Sequence, residues 1–262
     1  MIKNTANPIL GILGVGYFAS YFITSLRNGG YEGTIYLSPR NAQTAKRLSE
    51  EHQCLIAQNN QDVIDKSDII LISVRPEQLS GLMDQLSFRN NQIVISAVAG
   101  KTINEHFTIA DNLPPTLIRM IPVCSIEAGE GVVPIFPSNA EVEKLANYTG
   151  TPISFDSEHD FDLALTTSCM NGWLYEFFGT MTNWLEKKGL SQDKARKVIL
   201  HNIRGATAYA LQKDDQKLAD ITNEIATEGT FTLEGLNLLK KQQGFTAWNQ
   251  ALDHVHKKLG EE

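Results

Sequence analysis

An apolar run broken by glycines, Ile9-Leu10-Gly11-Ile12-Leu13-Gly14-Val15-Gly16, passes directly into a helical pattern that begins Tyr17-Phe18-Ala19. Few arrangements accommodate such a run. A buried strand, a tight turn and a helix opening over an anion do so, with Gly14 permitting the turn and Gly16 letting the backbone approach a pyrophosphate. The small Ala19 lets the helix lie against the strand. Main-chain N–H groups around Tyr17 and Phe18 then face the anion, where the helix dipole favours negative charge. The other reading is a plain strand-to-helix turn, and the segments that follow decide between the two.

The helix from Tyr17 to Arg27 stops at Asn28-Gly29-Gly30, and a second strand, Thr34-Ile35-Tyr36-Leu37, ends in Ser38-Pro39-Arg40-Asn41. About twenty residues beyond the glycine turn, a dinucleotide fold that prefers NAD carries an acid for the ribose 2′-hydroxyl; an arginine there suits the 2′-phosphate of NADP. Ser38 and Arg40 occupy that place with no acid between them, so the sequence predicts NADP. A solvated turn is the alternative. Cys54 to Ala57 reads as a short third strand. Asp68-Ile69-Ile70-Leu71-Ile72-Ser73-Val74 reads as a central parallel strand covered on both faces. Ligands of open α/β sheets sit off such carboxyl ends, which brings Val74, Arg75 and Pro76 to the cofactor. The strand Gln92 to Ser96 ends in Ala97-Val98-Ala99-Gly100, where Ala97, Ala99 and Gly100 leave room for a flat ring. Leu117 to Met120 and Gly131 to Ile135 close the sheet. The fold class expected for residues 1–155 is α/β, a Rossmann-type doubly wound parallel sheet forming an NADP-binding domain.

Beyond Phe155 the patterns are helical, and residues 156–262 are predicted to form an all-helical domain. Phe161 to Glu186 reads as one long helix with an apolar stripe including Met170, Trp173, Phe177 and Trp184, buried or covered by another subunit. Gly189-Leu190-Ser191 breaks it, and Ser191 is placed to cap a helix over Gln192–Gln212. Helices over Asp215–Ile225 and Phe245–Lys258 flank the turn Ala226-Thr227-Glu228-Gly229-Thr230-Phe231. A formal net charge of −7 argues against a nucleic-acid surface, and 42% hydrophobic content marks a globular chain. Cys54, Cys124 and Cys169 show neither disulfide nor metal spacing. With no signal peptide or membrane-length apolar run in view, the expected setting is cytoplasmic, with no membrane or metal involved. The six histidines, among them His52 and His106, read as surface residues on polar helix faces rather than bases.

In order along the chain, these segments resemble the pyrroline-5-carboxylate reductase family. The likeness runs through Gly11 to Ala19, Ser38-Pro39-Arg40-Asn41, Val74-Arg75-Pro76-Glu77-Gln78, Ile95 to Gly100, Arg119-Met120-Ile121-Pro122, Gly131, Gly189-Leu190-Ser191 and Gly205-Ala206. Thr227-Glu228-Gly229-Thr230-Phe231-Thr232-Leu233-Glu234-Gly235-Leu236 looks like the family's Ser-Pro-Gly-Gly-Thr-Thr-x-x-Gly-Leu substrate loop. The resemblance implies NADPH-dependent reduction of a cyclic imine to proline and a helical second half that forms an interlocked homodimer. It also implies a substrate held at Gly229, Thr230 and Phe231, and Thr232 near the imine nitrogen. An N-cap for the helix through Leu233 to Lys241 is the other role open to Thr232, and both roles are compatible. Val123-Cys124-Ser125 replaces the family's Asn-Thr-Pro, Ser168 to Trp173 replaces Gly-Ser-Gly-Pro-Ala-Tyr, and Glu228 puts a carboxylate beside the expected anion site. These departures cluster on the substrate side. They leave open an NADP-binding relative with a different small imine or carbonyl substrate, or with a regulatory role. A hydroxyacid dehydrogenase of the related helical type would need a lysine near Asn171, where Gly172, Trp173, Leu174 and Tyr175 follow.

Overall fold

The computed structural model describes residues 7–84, 86–109, 113–114 and 116–259; the polar leader ahead of Asn7 and the tail Gly260-Glu261-Glu262 lie outside them. The chain separates into two compact units, one through Ser168 and one from Cys169. The first contains β1 (Leu10–Leu13), α1 (Tyr17–Asn28), β2 (Ile35–Leu37), α2 (Ala42–His52), β3 (Leu55–Ile56), α3 (Asn60–Asp65) and β4 (Ile69–Ile72). It continues with α4 (Leu79–Met83), β5 (Ile93–Ser96), α5 (Ile103–Ile109), β6 (Leu117–Met120), β7 (Val132–Phe136), α6 (Ala140–Ala146), β8 (Thr151–Ser154) and α7 (Glu158–Ser168). The strands form one sheet in the order β3-β2-β1-β4-β5-β6-β7-β8. The order reverses direction between β1 and β4, the place where doubly wound sheets open a crevice for ligand.

Both faces of this sheet are covered, and the apolar runs explain why. Side chains alternate across a strand, so Ile69 and Leu71 of β4 join the cluster beneath α1 while Ile70 and Ile72 join the opposite one. Ala19, Phe22, Ile23 and Leu26 of α1 seal the first face; Val63, Ile64, Leu79 and Met83 seal the second. Each fully buried aliphatic side chain contributes about 1.5–3 kcal/mol, so this sheet is held mainly by its centre.

In one respect the sheet departs from the all-parallel expectation: β6 and β7 pair antiparallel, Arg119 opposite Phe136 and Met120 opposite Ile135. No crossover helix lies between them. A 3-10 turn at Cys124–Ala128, followed by Gly129 and Gly131 at positive φ, reverses the chain instead. The turn is bound to α1, where the Ser25 hydroxyl donates to the Ile126 carbonyl and Tyr21 donates to the Pro122 carbonyl.

The second unit holds α8 (Met170–Lys187), α9 (Gln192–Gln212), α10 (Leu218–Ile225), α11 (Phe231–Lys241) and α12 (Gly244–Leu259). The single long helix expected over Phe161–Glu186 is two helices, α7 and α8, broken at Cys169. Nor is its aromatic stripe enclosed within one chain. Tyr175, Phe177 and Trp184 are exposed, as are Leu211 and Leu238 on the neighbouring helices. Trp173 meets Trp248 edge-on at 5.9 Å between ring centres. Among the described residues no helix is long and apolar enough to cross a membrane.

Candidate functional site

The carboxyl ends of β1, β2, β4 and β5 enclose a groove of about 620 Å³. Its floor is the glycine turn. Gly14 has φ +94°, and a Cβ there would come within 2.7 Å of the Ser73 carbonyl, so only glycine fits. Gly16 precedes α1 in extended conformation, with no side chain capping the helix and nothing within 4 Å of where its Cβ would point. The start of α1 therefore presents unsatisfied N–H donors, and no acidic residue lies in its first turn.

The walls are fixed by short polar ties. The Ser73 hydroxyl donates to the Gly14 carbonyl at 2.8 Å, joining the ends of β1 and β4. The Asn41 amide donates to the Val15 carbonyl at 3.0 Å while its oxygen accepts from the Thr44 N–H and caps α2. Ser38 is buried, and its hydroxyl donates to Asn60 Oδ1 at 2.6 Å. Arg40 and Arg75 are exposed and line the groove. A second pocket of about 600 Å³ adjoins it through Arg40, Asn60, Gln78 and Leu82.

Gly14, Gly16, Tyr17, Phe18, Ser38, Arg40, Val74, Arg75 and Ala97 are thus brought together at one groove. Ala19 sits behind it in the core, where its small side chain lets α1 lie on the sheet. Pro76 opens a 3-10 turn at the groove's rim, and Ala99 and Gly100, the latter at φ +67°, follow Ala97 without lining the cavity. Asn41, Asn60, Ser73, Gln78 and Leu82 line it without having been singled out from sequence. Asn41 could have been found, since it stands between a strand and a helix where a cap is expected.

On the second unit, the cap of α11 is Thr230 rather than Thr232. The Thr230 hydroxyl accepts from the Leu233 N–H at 3.2 Å and donates to the Thr227 carbonyl at 2.7 Å. Gly229 turns the chain at φ +80° just before it, which starts the helix early and leaves Thr232 inside its first turn. The Thr232 hydroxyl makes no hydrogen bond among the described residues, and Phe231 is 91% exposed.

One buried histidine contradicts its surface reading, and one arginine is buried with it. His106 is fully buried between Ser96 and the Thr102 carbonyl, and burial pushes its pKa down. Arg119, 2% exposed, pairs with Glu158 at 2.8 Å and Asp162 at 3.0 Å and lies 4.5 Å over the Phe161 ring. No group of His, Cys, Asp and Glu side chains suited to a metal occurs among the described residues.

Residues 9–100 match a family model described as NADP oxidoreductase, coenzyme F420-dependent, and residues 158–262 match one for pyrroline-5-carboxylate reductase dimerisation. A pyrroline-5-carboxylate reductase of Pasteurella multocida is 23% identical over 247 residues, 88% of this chain and 89% of that one. Among solved structures, the Streptococcus pyogenes 1-pyrroline-5-carboxylate reductase superposes with TM-score 0.83 at 23% identity, covering 97% of this chain and 99% of that one. The Plasmodium falciparum pyrroline carboxylate reductase, with NADP bound, does so with TM-score 0.80 at 19% identity and 98% coverage of each chain. Glycine groove, strand order and helical second unit accord with these matches: residues 158–262 match the pyrroline-5-carboxylate reductase dimerisation model, and the chain is similar to reductases of that name over most of its length.

Proposed function

We propose that this protein is an NADPH-dependent reductase of a small cyclic imine, of the kind that converts pyrroline-5-carboxylate to proline. The observation that carries the reading is the open glycine groove flanked by Arg40 with no acid at the end of β2. The residues fit the dinucleotide: Gly16 lines the groove with nothing within 4 Å of where its Cβ would stand, so the backbone there is open to approach, and the unsatisfied donors of α1 suit a pyrophosphate. Arg40 offers a planar fork to a 2′-phosphate, and Arg75 adds positive charge along the same wall. Bound there, the cofactor supplies the hydride.

The chain's own work is then orientation and proton traffic. Ala97 leaves space for a ring at the end of β5. Thr232, its hydroxyl free, is assigned to hold a proton near the imine nitrogen, with Gly229, Thr230 and Phe231 beside the substrate. The domains assigned to these tasks are residues 1–155 for the cofactor and 156–262 for substrate and pairing. The exposed apolar faces of α8, α9 and α11 are assigned to a second copy of the chain in a homodimer. The free thiols of Cys54, Cys124 and Cys169 suit a reducing, cytoplasmic setting. NADPH oxidation measured with a panel of cyclic imino acids tests the activity; absence of turnover with every member refutes it.

One observation favours a second reading, a changed substrate. The Thr230 hydroxyl already occupies the Leu233 N–H at the start of α11, and Glu228 is exposed two residues earlier, which together weaken an anion site. Turnover of imines lacking a carboxylate in preference to imino acids selects it.

A further inference from the structure

The loop after β5 is held by a buried polar relay that the reaction chemistry does not require. Ser96, the last residue of β5, and His106 of α5 are both fully buried. The His106 ring lies 2.7 Å by Nε2 from the Ser96 hydroxyl and 2.7 Å by Nδ1 from the Thr102 carbonyl. Ser96 Oγ in turn accepts from the Val98 N–H at 3.2 Å.

A carbonyl only accepts, so Nδ1 carries a proton. Burial favours the neutral ring, and in that form Nε2 is an acceptor to which the Ser96 hydroxyl donates. The hydroxyl's lone pair faces the Val98 N–H. Glu105 on the same helix, Arg119 on β6 and Glu158 on α7 are the charged groups that act on it.

The helix itself is anchored. Thr102 and Glu105 cap one another at its start, and the Ile103 N–H donates to Glu158 Oε1 at 2.9 Å. The relay therefore connects a fixed helix to the backbone of the residue beyond Ala97, which lines the groove.

A buried Ser–His pair is a costly way to fill space, since apolar residues of the same shape would do so at similar or better stability. What the pair adds is direction. We infer that Ser96 and His106 are positioning residues that set the Ala97–Gly100 backbone where it meets the nicotinamide end of the cofactor. This rests on the proposed cofactor reading.

The test compares NADPH with adenosine 2′,5′-bisphosphate, which lacks the nicotinamide end, by equilibrium binding. His106→Leu is expected to weaken NADPH about tenfold while leaving the bisphosphate within about twofold. His106→Gln, whose amide oxygen can accept from Ser96, is expected to recover most of the loss. Equal weakening of both ligands, or none of either, overturns the inference. Two measurements stand apart from the cofactor. The nitrogen shifts of the unaltered protein should show the His106 proton on Nδ1, and Val98 amide exchange should rise at least about tenfold in His106→Leu. A proton on Nε2, or unchanged Val98 exchange, also overturns it. If the unaltered protein binds neither ligand while both of these measurements hold, the cofactor reading fails and the relay survives only as a clamp on the loop, so the positioning role is refuted.

Discussion

The two units of this chain handle apolar surface in opposite ways. In the first, the strand β4 is buried throughout and its residues alternate between two enclosed clusters, while polar groups such as Ser38, Ser96 and Arg119 find partners inside. In the second, α8, α11 and α12 contain no fully buried residue, and Leu211 on α9 is 74% exposed. One unit encloses its apolar surface; the other leaves large apolar side chains exposed on the single chain.

That contrast can be broken at several points, the largest effect first. Gly14→Val forces a side chain against the Ser73 carbonyl at positive φ, and thermal unfolding should show a loss of about 3 kcal/mol at any protein concentration. An unchanged melting temperature would mean the turn is not rigid. Arg119→Met removes the cation from between Glu158 and Asp162; the methionine fills most of the space, so about 2 kcal/mol is expected, short of the full cost of stranding a buried charge. Arg40→Ala should leave stability within about 0.5 kcal/mol. It should weaken NADPH roughly thirtyfold and NADH by about twofold or less; equal losses would remove the 2′-phosphate assignment. Leu211→Glu tests the other unit. Its effect on a lone chain should stay within about 0.5 kcal/mol, while sedimentation should show the oligomer shifting toward smaller species.

The smallest expected effect is one of pH. Hydrogen bonds from Thr102 and Lys101 hold the Glu105 carboxylate at about 2, below its ordinary value of 4.5. A depressed folded-state pKa gives stability that is complete above pH 4.5 and lost as the pH falls toward 2. Solvent screens this half-exposed group, so the slope is shallow, and Glu105→Gln should flatten it in acid titrations followed by circular dichroism.

Much of the first unit could be read before any coordinates, because its signals are local. The apolar run at β4 and the glycine stop after α1 depend on neighbours in sequence, as do the bounds of α9 at Gln192–Gln212 in the second unit. What escaped depends on distant contacts. The antiparallel turn into β7 follows from the seating of Cys124–Ala128 on α1, which no periodicity announces. His106 looks polar in sequence and is buried because Ser96 and Thr102 satisfy both its nitrogens. The cap at Thr230 instead of Thr232 turns on one positive φ at Gly229. The groove residues were largely legible, since most stand at a strand's end or at the start of the helix that follows; Asn60 and Gln78 reach it only through folding.

The tie between Ser73 and Gly14 has a consequence for how such a groove can change over time. The Ser73 hydroxyl bonds the Gly14 carbonyl, and the Ser73 backbone carbonyl takes the space where a Gly14 Cβ would stand, so the ends of β1 and β4 are locked together. A substitution on either strand end is felt by the other, so the turn that meets the phosphates and the turn beside Arg75 are free to drift only as a pair. The loop before α11 carries no such tie among the described residues, and there Thr227 to Thr232 depart from the Ser-Pro-Gly-Gly-Thr-Thr pattern that the segment resembles.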